Sequence, residues 1–248
     1  MRSMVLALVG WLSVASCATH VEPKCGGGAD AAAPPVRLER NGAKVARATR
    51  EAATDFVARS LAAIPRPTAG QFDSPERVLR FLFEKVASRD LVGSLVAFPV
   101  VEHFERVRLK DYQEYTGGFS PKNYPQDDAP YGRLGYSLNR YMATYREVSL
   151  RILSDDVDGV RSLPPGSDLS GALRELDGSR LGALRVASLQ ELEPESRPQL
   201  NAVDRALGVT EKRCFTARIA LEQRTVGFTS FVGLIAGDWR VLSVVPVP

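Results

Sequence analysis

The stretch Phe228-Thr229-Ser230-Phe231-Val232-Gly233-Leu234-Ile235, followed by Ala236-Gly237-Asp238 and then Trp239-Arg240-Val241-Leu242-Ser243-Val244-Val245, decides the fold. Eight residues with apolar side chains on both faces read as a central strand. The three that follow read as a hairpin turn, and the last seven return as a second strand. On period-two spacing, Trp239, Val241, Ser243 and Val245 share one face of that return strand. Working backwards, Phe215, Ala217, Ile219 and Leu221 alternate with Thr216, Arg218 and Glu222, which predicts a third, half-buried strand. The C-terminal third is therefore an antiparallel sheet.

Helical signals precede it. Ser74-Pro75-Glu76-Arg77 is a helix start, with a capping serine and a proline in the first turn. Val78, Leu79, Leu82, Phe83 and Val86 supply its apolar stripe. Ser88-Arg89-Asp90 breaks it, and Asp90 caps a second short helix carrying Leu91, Leu95 and Phe98 and ending at Pro99. A longer amphipathic stretch runs from Asn41 to Ile64, where Pro65 and Pro67 forbid continuation. Near the sheet, 198–207 reads as a short helix with Leu200, Val203 and Leu207 inward and Gly208 at its end. Helices first and an antiparallel sheet last give an α+β fold, with N-terminal helices packed on a curved antiparallel sheet.

The middle is unusual. All seven tyrosines fall between Tyr112 and Tyr145, and 116–135 is rich in Gly, Pro and Asn. This predicts a Tyr-rich loop insertion around 111–145, then a helix from Ser137 passing into a strand near Glu147, where Val148, Leu150 and Ile152 alternate. Tyrosine offers an apolar ring with a polar tip, which suits interfaces. Tyr112, Tyr115, Tyr124, Tyr131 and Tyr136 are the candidate binding surface; packing of the same rings as a second core under the loop is the other reading. Asp155-Asp156-Val157-Asp158-Gly159 is a turn, because Pro164-Pro165 stands where a calcium loop needs its bidentate carboxylate.

At the other end, Arg2 precedes an apolar run from Met4 to Leu12 that is too short to span a bilayer. This reads as a secretory signal peptide over 1–16. Residues 18–36, with Gly26-Gly27-Gly28 and Ala31-Ala32-Ala33-Pro34-Pro35, have the composition of a flexible tether. The domain organisation is then a leader over 1–16, a cysteine and tether over 17–36, and a single α+β domain over 37–248.

Composition closes off several classes of function. Lys+Arg number 32 against 29 Asp+Glu, a balance that gives no electrostatic case for nucleic acid. The glycines of the tether are not followed by Lys-Ser or Lys-Thr, so they are no phosphate loop. His20 and His103 are the only histidines, and no cysteine pair has metal spacing, so neither a metal site nor a cofactor is expected. A histidine-dependent enzyme would have to use His103, which sits in the apolar run Val100-Val101-Glu102-His103-Phe104 without a nucleophile elbow. Glu102, Asp111, Asp127 and Asp128 could line a cleft beside it, or be plain surface charge. In an oxidising compartment Cys25 and Cys214 could pair as a disulfide or remain two free thiols.

Two resemblances add to this. Val14-Ala15-Ser16-Cys17 resembles a bacterial lipobox, which implies cleavage before Cys17 and lipid on its thiol; ordinary secretion with cleavage after Ala18 is the alternative. Ala18, in a place where aspartate favours inner-membrane retention, leans towards the outer membrane. Asp73-Ser74-Pro75-Glu76 leading to Phe81-Leu82-Phe83 and Ser88-Arg89-Asp90-Leu91, together with Gly237-Asp238-Trp239-Arg240-Val241, is similar to the opening helices and final hairpin of the nuclear-transport-factor-two-like, or cystatin-like, cone fold. The expectation is a lipid-anchored envelope protein, held on the membrane through Cys17 and facing the periplasm. It would bind a protein or cell-wall partner without catalysis. A secreted cone-fold enzyme of the isomerase or dehydratase kind, acting on a small molecule, is the alternative. A deep closed pocket joining His103 to a carboxylate would favour the enzyme, and a tyrosine-filled one the binding protein.

Overall fold

Local capping sets the first elements of a computed structural model that describes residues 52, 54–119, 121, 124, 125, 128–154, 176–193 and 198–247. The chain divides into two units, Met1–Ala63 and Ile64–Pro248. Within the first, 54–63 is helical (α1) and stops before Pro65, as its sequence demands. The leader, Cys17, the tether with Cys25, and the 155–159 turn lie outside the described residues.

The second unit opens with α2, Pro75–Ala87, whose Ser74 side chain accepts from the Arg77 N–H at 3.3 Å. Its buried stripe is Val78, Leu79, Leu82, Phe83 and Val86, as the spacing predicted. Asp90 then accepts from the Gly93 N–H at 2.8 Å and starts α3, Leu91–Ser94. A 3₁₀ turn over Leu95–Ala97 leads to α4, Val100–Arg106, and α5, Leu109–Thr116.

The long helix α6, Pro130–Leu153, is the main departure from the sequence reading. With α5 it makes most of the stretch 111–145 helical rather than looped, and the strand expected near Glu147 is the last turns of α6. Residues 148–154 are all buried, the polar Ser149 and Arg151 included, so polarity does not follow the helical period there and Val148, Leu150 and Ile152 are left in an accidental alternation. Gly132, read as a loop signal, is a packing requirement: a Cβ there would lie 2.8 Å from Cβ of Pro125.

The sheet is a meander in the order β1-β2-β3-β4. Its strands are β1 (Arg185–Glu191), β2 (Val209–Leu221), β3 (Arg224–Ile235) and β4 (Asp238–Pro246), all antiparallel. Between β1 and β2 lies the short helix α7, Ala202–Leu207, where Asn201 accepts from the Asp204 N–H at 2.9 Å and Gly208 closes the end at φ 81°. The turn between β3 and β4 places both Ala236 and Gly237 at positive φ, the pattern of a two-residue hairpin whose twist matches its strands. Pairing shifts once in each ladder, by bulges that add twist to the sheet. The third corrects the face assignment in β4. Phe231 pairs with Ser243 while Val232 pairs with Val241, so Leu242 is the extra residue. Trp239 and Val241 therefore share a face, but Ser243 and Val245 do not join them; Val244 is buried and Val245 exposed.

Helices and sheet share a core. The Phe83 ring lies 6.0 Å from that of Phe228, and both are fully buried together with Val78, Leu82, Ala217, Ile219 and Val241. Trp239 is buried at the sheet end, where its backbone N–H donates to the Phe72 carbonyl at 2.9 Å and the Asp238 carboxylate accepts from the Phe72 backbone N–H at 3.1 Å. Burial on this scale is the main stabilising term of the unit.

Candidate functional site

A second, smaller cluster sits beside this core, and it is built from the tyrosines. The helix α4 begins after Pro99, its first turn is closed by the bond from the His103 N–H to the Pro99 carbonyl at 2.9 Å, and His103 is buried on its inner side. The start of α5 is held by two carboxylates: Asp111 accepts from the Arg108 N–H at 2.7 Å and Asp128 from the Leu109 N–H at 3.0 Å. That pins Tyr112, one turn in, against His103. Tyr136 and Tyr141 come from α6, and Tyr124 arrives from the segment between α5 and α6, its hydroxyl donating to Asp128 at 2.8 Å.

The rings of Tyr112, Tyr124 and Tyr136 lie 5.0 to 5.6 Å from one another, and His103 lies 5.9 Å from Tyr136. Val107, Val203, Leu207, Val209, Ile235 and Leu242 complete the cluster. The imidazole is sealed inside. Its Nε2 is 2.6 Å from the Tyr112 hydroxyl and its Nδ1 is 3.0 Å from the Tyr141 hydroxyl. A neutral imidazole has one N–H and one bare nitrogen, so one of these hydroxyls donates to it and the other accepts from it. Burial, and secondarily the Arg140 charge, depress the imidazole pKa to about 3, so His103 is neutral throughout the physiological range. Burial pushes the Tyr112 and Tyr141 hydroxyls well above their ordinary range, so both are fixed as neutral phenols.

Beside this cluster opens a cleft of about 360 Å³ between α5, α6, α7 and the sheet. Tyr112, Tyr115, Tyr141 and Phe231 give it aromatic walls, and Arg140, Lys212 and Asp204 give it charge. Lys212 is spoken for, with Nζ 2.7 Å from Asp204 Oδ2 and both side chains nearly buried. Arg140 keeps exposed surface, its guanidinium lies 6.0 Å from the Tyr141 ring centroid, and the Tyr136 and Tyr141 hydroxyls are its hydrogen-bonding neighbours; among the described residues no carboxylate pairs with it.

The predicted binding residues thus divide. Tyr112 and Tyr124 are core, and Tyr136 packs half-buried against them. Tyr115, exposed to 58 %, stands at the cleft, while Tyr131 is half-buried in the first turn of α6 and lines no part of it. The five do not form one surface. The carboxylates that might have joined His103 do other work: Asp111 and Asp128 hold α5, and Glu102 lies 3.7 Å from Arg240; Asp127 is outside the described residues. Cys214 is a buried thiol on β2, its pKa raised by burial, and Cys25 lies outside the described residues. Arg140 and Lys212 were missed by sequence reasoning. Neither stands in a motif, and only the pairing of β2 with β3 and the packing of α6 bring them together.

No family model matches the chain, and neither does any curated protein. Among solved structures, the chain is similar to a cystatin-like protein from Ruminococcus gnavus ATCC 29149, with 12 % identity and a TM-score of 0.43 over 68 % of this chain. The match spans 39 % of that protein's length, so the chain corresponds to well under half of it.

Proposed function

We propose that this chain is a lipid-anchored envelope lipoprotein, held through Cys17 at the outer membrane on its periplasmic side, whose α+β domain binds a protein or cell-wall partner without transforming it. One observation carries the non-catalytic part: both ring nitrogens of the buried His103 are taken by tyrosine hydroxyls, so the histidine does not line the cleft and, among the described residues, no carboxylate is bonded to it. A general base must reach the proton it removes, and its pKa must lie near the working pH. His103 meets neither condition. The tyrosines that seal it also leave the cleft aromatic-walled, which suits binding. Among the described residues no helix is long and apolar enough to cross a membrane, and lipid on Cys17 is the anchor this reading assigns. Several acyl chains together give stable attachment where one does not.

The reading is tested in two steps. Full-length protein should incorporate labelled palmitate and fractionate with membranes, and Cys17→Ser should release it or leave it unprocessed. Unlabelled, soluble wild-type protein would refute the anchor. A photo-crosslinking residue in place of the exposed Tyr115 should then trap a partner in intact cells, whereas one in place of Arg80, exposed on α2, should not. Equal trapping from both positions, or none from either, would refute binding through the cleft.

A further inference from the structure

We infer that the cleft between α5, α6, α7 and the sheet is a carboxylate-binding site, with Arg140 as the group that holds the anion. The inference rests on the reading of this cleft as the binding face, and names the chemistry of what enters it.

Three features argue for it. The first is charge. The cleft carries two cations and one carboxylate, and Asp204 neutralises Lys212 at 2.7 Å. One positive charge is left, on Arg140, which has tyrosine hydroxyls around it and, among the described residues, no carboxylate paired with it. A site with one uncompensated positive charge suits a monoanion better than a phosphate dianion. The second is donor geometry. The guanidinium is a planar fork that matches a carboxylate bidentately. Beside it Tyr112 and Tyr141 also line the cleft, each with its hydroxyl on one ring nitrogen of His103. His103 acts here as a positioning residue, holding both tyrosines in place in the cleft wall. The third is the body of the site. Tyr115 and Phe231 supply apolar aromatic surface in the cleft that holds this unneutralised cation, and the volume of about 360 Å³ lies at the small end of what ligand clefts hold. The ligand class that fits is a compact carboxylate on a planar or apolar body.

The test uses detergent-solubilised full-length protein and three probes: benzoate, its neutral isostere benzamide, and phenyl phosphate. Calorimetric titration should show benzoate binding with a dissociation constant on the order of 1 mM, as expected for a fragment of that size. Benzamide should bind at least about tenfold more weakly, because a charge-assisted bond is lost. Phenyl phosphate should bind more weakly than benzoate. Arg140→Gln should weaken benzoate about 10- to 100-fold, and Arg140→Lys, which keeps the charge but loses the fork, should fall between them. Equal affinity for benzoate and benzamide, tighter binding of phenyl phosphate, or unchanged benzoate affinity in Arg140→Gln would each overturn the inference. The two readings fail separately. Crosslinking from position 115 without benzoate binding rejects the carboxylate site and keeps the binding face; benzoate binding that needs Arg140, without any crosslinked partner, does the reverse.

Discussion

Acid should destabilise this protein through His103, and the size of the effect follows from its surroundings. The imidazole is 2 % exposed, and burial moves its pKa from 6.5 in the open chain to about 3 in the fold. The unfolded chain therefore binds a proton that the folded one refuses between those two values. Stability rises with pH wherever the unfolded state holds more protons. The His103 contribution is accordingly intact above pH 6.5, declines as pH falls below it, and reaches its floor near pH 3. At about 1.4 kcal/mol per pH unit, moving from pH 7 to pH 5 costs roughly 2 kcal/mol. Glutamine at this position offers an amide NH2 as donor and an amide oxygen as acceptor but cannot take the proton. His103→Gln should be less stable than wild type at pH 7, by about 1–3 kcal/mol for imperfectly remade buried hydrogen bonds. The difference should shrink by about 2 kcal/mol at pH 5, since every other titrating group is common to both proteins. Urea denaturation followed by the fluorescence of the buried Trp239 measures this directly. If the two stability curves run parallel from pH 7 to pH 5, His103 is not held neutral by burial, and the description of the tyrosine cluster is wrong.

Further expectations concern the frame around the cleft. Trp239→Ala should cost about 3–5 kcal/mol in chemical denaturation, because it empties a buried site beside Phe72; wild-type stability in that variant would remove the hairpin from the core. Gly208→Ala places a Cβ at φ 81°, 2.5 Å from Nη1 of Arg106, and should cost on the order of 1 kcal/mol, part of it recoverable in Arg106→Ala. Deletion of 18–36 should leave the thermal midpoint of the domain within a few degrees of wild type, since a low-complexity tether buries little; a loss of many degrees would mean that this segment packs on the domain.

The frame was legible in the sequence wherever a local rule and the tertiary structure agreed. Ser74-Pro75 announces α2, Asp90 announces α3, and Gly208 marks the end of α7, because capping is decided within four residues. The hairpin at Ala236-Gly237 is equally local. The misreadings came where burial erased the period. The end of α6 is buried all round, so its helical repeat passed for a strand, and Gly132, which lets Pro125 approach, passed for a loop signal. The first strand, β1, alternates poorly between exposed and half-buried positions and gave no signal. The Leu242 bulge reversed the face of half of β4, and no single-strand pattern announces an inserted residue.

The same bulge bears on the site. Ser243, opposite Phe231, is turned to the cleft, and both residues line it with Leu242. Had β4 kept a regular pleat, Ser243 would have shared the face of Trp239 and Val241. Trp239 and Val241 thus pack in the main core and Leu242 in the tyrosine cluster, and the inserted residue brings Ser243 to the cleft beside Leu242. On the helical side, Tyr141 plays a matching double role. Its ring stacks 5.1 Å from Phe98, and its hydroxyl belongs to the His103 network at the cleft wall. A neutral histidine between two phenols stiffens that wall without offering a titratable group to it. What a ligand meets in the cleft is aromatic surface, the charge of Arg140 and the polar side chains of Gln199, Asn201 and Ser243, and not the imidazole, because burial puts His103 behind Tyr112 and Tyr141.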